Sequence, residues 1–75
     1  MSKNRVRNNI RRLRFVHDEM TQQELAAQVG VTRQTIIAME QEKYSPSLDL
    51  AFRIALVFEL PLQEVFSYDA ETKAK

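Results

Sequence analysis

Apolar residues recur along this chain at helical intervals, and the intervals break where polar or turn-forming residues gather. Val6, Ile10, Leu13 and His17 follow one another at steps of four, three and four. That stripe predicts a first helix over about Arg5 to His17, closed by Asp18-Glu19. Phe15 points away from the stripe and Val16 stands at its edge. A second helix is expected from Thr21. Thr21-Gln22-Gln23-Glu24 has the form of a capping box, with the threonine oxygen accepting the N–H near position 24 and Glu24 reaching back. Leu25, Ala26 and Val29 form its inward face, and Met20 has the offset needed to staple against Leu25. A third helix starts at Thr32, another N-cap residue type. Ile36, Met39 and Glu40 share one of its faces; Gln34, Ile37, Ala38 and Gln41 share the other; Arg33 projects from the first turn.

Gly30, the single glycine of the chain, lies between the second and third helices. Glycine enters the left-handed conformation at little cost, so a helix that must stop and turn sharply often ends on one. Glu42 to Pro46 reads as a loop, since proline disfavours helix at Ser45. Ser47 then caps a fourth helix, roughly Leu48 to Phe58, with Asp49 placed to favour the helix dipole. This helix is apolar nearly all round: Leu50, Ala51, Ile54 and Phe58 make one face, and Leu48, Phe52 and Leu56 another. Pro61 opens a short fifth helix, Leu62 to Phe66. Ser67 to Lys75 reads as a polar, frayed tail in which Tyr68 can pack. No repeat, low-complexity tract or strand longer than a few residues is visible. The expectation is an all-α, compact five-helix domain over residues 1–68 with a polar tail over 69–75, the second and third helices forming a helix-turn-helix.

Composition narrows the function. A chain of 75 residues makes one small domain with a modest core. It has no cysteine, so no disulfide and no thiolate metal site. No apolar run approaches membrane-spanning length, and no apolar signal core follows the basic N-terminus, so a soluble cytoplasmic protein is expected. Net charge is only +1, but it is unevenly spread. Residues 1–14 carry Lys3, Arg5, Arg7, Arg11, Arg12 and Arg14 and no acid, whereas residues 15–42 carry five acids against Arg33. The basic stretch is either a phosphate-contacting surface or a solvated, arginine-rich helix. An enzyme is not indicated. His17 is the only histidine, Asp18-Glu19 face different ways on a helix, and no glycine-rich phosphate loop or H-x-x-H spacing occurs. No cofactor, metal or small-molecule ligand is implied.

From Thr21 to Phe66 the chain resembles the phage-repressor type of helix-turn-helix, the lambda repressor and Cro family. The pieces are Thr21-Gln22-x-x-Leu25-Ala26, Gly30-Val31-Thr32-Arg33-Gln34-Thr35-Ile36, Glu40, Lys43-Tyr44-Ser45-Pro46-Ser47-Leu48, Ile54-Ala55, and Leu62-x-Glu64-Val65-Phe66. It is most similar to the short, single-domain prokaryotic members. Many members pair an arginine at the end of the first helix with the glutamate matching Glu40, which implies an Arg14–Glu40 pair. Three features depart from the pattern. Glu42 and Glu59 stand where glycine is frequent, which implies helix ends closed in another way. The stretch between Arg14 and Gln22 is one residue longer than the common spacing. Leu56 stands where a lysine or another polar residue is usual.

The resemblance implies a sequence-specific transcriptional regulator of double-stranded DNA, with residues of about 33–41 in the major groove, in the cytoplasm on a prokaryotic nucleoid. Thr21 and Gln22 at the start of the second helix would hold one phosphate run, and Lys43, Tyr44 and Ser45 the opposite one, with Thr35 and Gln41 adding to these. Arg33 would read guanine through its fork and Gln34 adenine, while Thr32, Ile37 and Ala38 face the bases. The alternative for Arg33 is a phosphate contact without base choice. Most members act as two-fold dimers on half-sites about 34 Å apart. Phe52, Leu56, Leu60, Phe66 and Tyr68 are the expected interface, with Leu62 and Phe15 as further spare apolar surface. A competing reading is an antitoxin-type or other protein-interaction module that binds its own promoter. A helical scaffold that does not use DNA is a third.

Overall fold

In the computed structural model, which describes residues 6–69, the elements run β1 (Val6–Asn8), α1 (Ile10–Val16), α2 (Gln22–Val29), α3 (Arg33–Glu40), α4 (Leu48–Phe58), α5 (Leu62–Val65) and β2 (Phe66–Tyr68). Three helices begin on the hydroxyl caps read from the sequence. Thr21 Oγ1 accepts the N–H of Glu24 at 2.9 Å, Thr32 Oγ1 that of Thr35 at 3.2 Å, and Ser47 Oγ that of Leu50 at 3.1 Å. At α2 the capping box is complete, because Glu24 Oε1 accepts the Thr21 N–H at 2.8 Å.

Arg5 lies outside the described residues; the first helix starts at Ile10, and Val6–Asn8, expected within it, is a strand. It pairs antiparallel with β2 in the register Val6↔Tyr68, Arg7↔Ser67, Asn8↔Phe66. Two asparagines explain the difference. Asn8 Oδ1 accepts the N–H of Ile10, and the N–H of Asn9 donates to the Val65 carbonyl at 2.9 Å. Asparagine side chains compete with the backbone for such bonds and so favour helix boundaries over interiors. The step of four from Val6 to Ile10 was therefore coincidental. The domain is predominantly helical rather than all-α. α5 ends at Val65, not Phe66, and Ser67 and Tyr68 are strand residues rather than the start of a frayed tail. Residues 70–75 of the expected tail lie outside the described residues.

One apolar cluster joins the elements: Ile10 of α1, Leu25, Ala26 and Val29 of α2, Ile36 and Met39 of α3, Leu50, Ile54, Ala55 and Phe58 of α4, and Val65 of α5. Leu13, Met20, Val31, Val57, Leu60, Leu62 and Phe66 pack around it. Edge-on contact with the Phe58 ring, at 5.2 Å between centroids, accounts for His17 at the end of α1.

Helix ends on the core's rim share one device. Gly30 adopts φ 77°, as the sequence implies, and Val31 N–H then donates to the Ala26 carbonyl. Glu42 (φ 61°) and Glu59 (φ 57°) take the same left-handed conformation without being glycine, contrary to the expectation of a different ending. The N–H of Lys43 reaches Ala38 O, and that of Leu60 reaches Ala55 O, closing both ends in the manner of Gly30. Left-handed geometry costs an L-residue about 1–2 kcal/mol. Glu42 is offset by an ion pair from Arg7 at 2.6 Å, whereas the Glu59 side chain has no partner among the described residues. Asp18 (φ 59°) and Glu19 (φ 53°) are also left-handed, and this double turn accommodates the long connection between Arg14 and Gln22.

Glu59→Gly should therefore stabilise the fold by about 0.5–1 kcal/mol, after allowance for the freer unfolded chain, and raise Tm by roughly 3–6 °C. Gly30→Val should cost about 2 kcal/mol. A Cβ at position 30 would meet only Arg53 Nη1, at 3.4 Å, so that loss would be conformational rather than steric. Thermal melts of both variants test the assignment; a lower Tm for Glu59→Gly would refute it.

Candidate nucleic-acid interface

The left-handed turn at Gly30 lets Val31 fold back onto the core, so that α3 leaves at an angle to α2 with Ile36 and Met39 buried. Burying those two fixes the rotation of α3. Its outer face carries Arg33, Gln34 and Gln41 exposed, with Ile37 and Ala38 half-buried. Neither Arg33 nor Gln34 makes a side-chain hydrogen bond or ion pair among the described residues. Thr32 is committed to its cap, and its hydroxyl also lies 3.1 Å from that of half-buried Thr35.

A largely shielded carboxylate ties this helix to the other two. Glu40 has a side chain only 8% exposed. Arg14 grips it bidentately, Nε to Oε2 at 2.6 Å and Nη2 to Oε1 at 3.0 Å. The remaining arm, Nη1, donates to the carbonyl of Met20 at 2.8 Å. Paired, charge-assisted bonds of this kind fix orientation as well as energy. The Arg14–Glu40 pair implied by the resemblance is thus present. Gln22 joins it, Nε2 donating to Glu40 Oε1 at 3.1 Å. That bond holds the side chain of the second residue of the motif against α3, and leaves one amide hydrogen and the amide oxygen uncommitted. Above it, the N–H groups of Gln22 and Gln23 open the helix, since the Thr21 hydroxyl takes that of Glu24.

At the other end of α3 lies the exposed loop Lys43, Tyr44, Ser45. Its anchor is a set of contacts that the sequence did not indicate. Asn8 Nδ2 donates to the carbonyl of Met39 at 2.8 Å, and Arg7 bridges Glu42 at 2.6 Å and Asp69 at 2.9 Å. Hydrogen bonds donated first to Asp69 and then to Glu42 hold the Arg7 guanidinium more firmly in its charged form. These partners are 35 and 62 residues away in sequence, a separation no periodicity reveals. Arg53 was also missed. It donates to the Val29 carbonyl at 2.6 Å, satisfying the end of α2, and pairs with Asp49 one turn earlier. The i,i+4 spacing made that second contact readable.

The expected interface residues divide. Phe52, Leu56 and Tyr68 are exposed, Leu56 to 74%, as are Phe15 and Leu48. Leu60, Leu62 and Phe66 pack partly against the protein's own core, because α5 folds back against α4. Among the described residues no set of three or more His, Cys, Asp or Glu could hold a metal, and no helix is long and apolar enough to cross a membrane.

Comparison with known proteins agrees with this geometry. A family model described as helix-turn-helix matches residues 10–65. An uncharacterised HTH-type transcriptional regulator of Methanocaldococcus jannaschii is 45% identical over 64 residues, which is 85% of this chain and 96% of that protein. One from Archaeoglobus fulgidus is 47% identical over 66 residues, 88% and 93% of the respective chains. YgzD of Bacillus subtilis, described in the same words, is 38% identical over 66 residues, 88% of this chain and 98% of its own. A crystal structure of a protein from Bacteroides fragilis superposes with a TM-score of 0.71 at 24% identity, covering 83% of this chain and 98% of that one; the likeness is one of fold.

Removing one member of a buried pair strands the other's charge. Arg14→Met should cost about 3 kcal/mol, while Arg14→Met combined with Glu40→Leu should recover most of it. Denaturant titrations of the two singles and the double test this; additive losses would mean that the pair is not coupled.

Proposed function

The chain belongs to the Cro/C1-type helix-turn-helix family, and from that premise we propose that it is a sequence-specific regulator of transcription that grips double-stranded DNA as a two-fold homodimer. The observation that carries this reading is the leading end of α3. Arg33 and Gln34 stand exposed and uncommitted there, while every other attachment of the helix is made. A rigid helix with free, forked donors at its N-terminal end suits base reading in the major groove. Arg33 takes guanine O6 and N7, Gln34 takes adenine, and Thr32, Ile37 and Ala38 line the same edge toward thymine methyl groups. The opening N–H groups of α2, with Thr21 and Gln22, hold one phosphate run, and Lys43, Tyr44 and Ser45 hold the other, flanked by Thr35 and Gln41. A protein working in this way acts in the cytoplasm, on the nucleoid.

Two-fold pairing is supported by α4. Leu48, Phe52 and Leu56 stand four apart on one exposed face, with Phe52 midway. An antiparallel copy crossing at Phe52 sets Leu48 of one protomer against Leu56 of its partner, which is the self-complementarity a two-fold axis demands. Tyr68 and the outer edges of Leu60 and Phe66 extend that surface.

Selection of bound duplexes from a random pool at defined salt tests the DNA reading. A recurring half-site in two-fold repeat is expected, and no enrichment over the starting pool would refute it. Arg33→Ala should erase preference at one base pair of that half-site, worth about 1–3 kcal/mol of discrimination. Unchanged preference would move Arg33 to the phosphates. Sedimentation equilibrium at tens of micromolar should show a dimer that Leu56→Lys converts to monomer; a monomeric parent protein would refute the pairing.

A further inference from the structure

A groove of about 1,030 Å³ opens beside the recognition helix and is walled on its far side by α1. Arg11, Arg12 and Phe15 line it from α1, Gln22 from α2, and Arg33 and Ile37 from α3. The sequence left Arg11 and Arg12 open between phosphate contact and solvated helix surface, and nothing in the reading above employs them. Both are exposed, and neither makes a side-chain hydrogen bond or ion pair among the described residues. They share one concavity with Gln22 and Arg33, the first residues of α2 and α3.

The charge of the groove is one-sided. Of the two acids along it, Glu40 is neutralised by Arg14 and further bonded by Gln22, which leaves Glu19 as the one carboxylate without a partner. Three uncommitted guanidiniums therefore face a single open carboxylate across the groove. Such a surface favours an extended polyanion over a compact acidic ligand, since its cations lie along a channel rather than around a point. Phe15, 67% exposed in the same channel, offers a ring against which a sugar can lie between successive phosphates.

We propose that this groove seats the sugar–phosphate backbone of one DNA strand, with Arg11 and Arg12 each neutralising a phosphate beyond those held at the start of α2 and by the 43–45 loop. The inference rests on the DNA reading of the preceding subsection and deepens it. α1 is then a third phosphate-holding element, which raises affinity without adding sequence choice, because phosphates carry no sequence information.

The test compares the parent protein, Arg11→Gln/Arg12→Gln and Arg11→Lys/Arg12→Lys on one selected duplex across a salt series. Each phosphate contact contributes about 0.9 to the slope of log affinity against log salt. The glutamine pair should flatten the slope by about 1.8 with unchanged Tm and unchanged base preference, and the lysine pair should restore most of it. A parent slope retained by the glutamine pair would overturn the proposal, as would a loss of base preference. The wider reading fails on a different result, namely no salt-dependent duplex binding by the parent protein, which would also remove the ground for this one.

Discussion

A single carboxylate, that of Glu40, fixes the geometry on which the proposed DNA face depends. It comes from α3, is gripped by Arg14 of α1, and receives Gln22 from the first turn of α2. Three helices that would otherwise meet only through apolar contacts are thereby locked at chosen angles. Apolar packing supplies most of the stability of so small a domain, but it is non-directional and tolerates small rotations. A bidentate guanidinium–carboxylate pair does not. Since Ile36 and Met39 hold α3 from below while Glu40 holds it from the side, the azimuth of Arg33 and Gln34 is fixed by two independent constraints.

The rear of the same helix is held by different means. Its Met39 carbonyl accepts from Asn8, and the residue that turns the chain away, Glu42, meets Arg7. Both donors lie on β1, which exists only because Phe66–Tyr68 pairs with it. The loop proposed to hold the second phosphate run starts from an end that the two-stranded ribbon braces. The left-handed conformation of Glu42 is part of that arrangement, because the ion pair with Arg7 offsets its backbone cost; at Glu59 no comparable contact exists among the described residues.

Much of this was readable in order. The caps at Thr21, Thr32 and Ser47, the turn at Gly30 and the bounds of α4 follow from local chemistry, in which one side chain decides the fate of the next few backbone groups. The Arg14–Glu40 pair was accessible only through the resemblance, since spacing alone does not set residues 14 and 40 side by side. The ribbon was not legible. Val6 fell on a helical stripe by accident of spacing, and the decisive signal, two consecutive asparagines, competes with a strong apolar period. The left-handed glutamates were hidden for the opposite reason. Glycine advertises such a conformation, whereas a glutamate in it is betrayed by no local feature, and the ion pair that steadies Glu42 comes from the other end of the chain. The groove along α1 was half legible: its arginines were visible, but not that they face Gln22 and Arg33 across one channel.

The pairing of Val6 with Tyr68 has a consequence for biosynthesis. During translation β1 is made before the five helices and waits for all of them before its mate leaves the ribosome. Closing so large a loop has a substantial entropic cost that the short ribbon recovers only after the core has condensed. The nascent chain can therefore assemble its helices and still lack the strut behind α3. Firm bracing of α3 is deferred until Phe66–Tyr68 has been made.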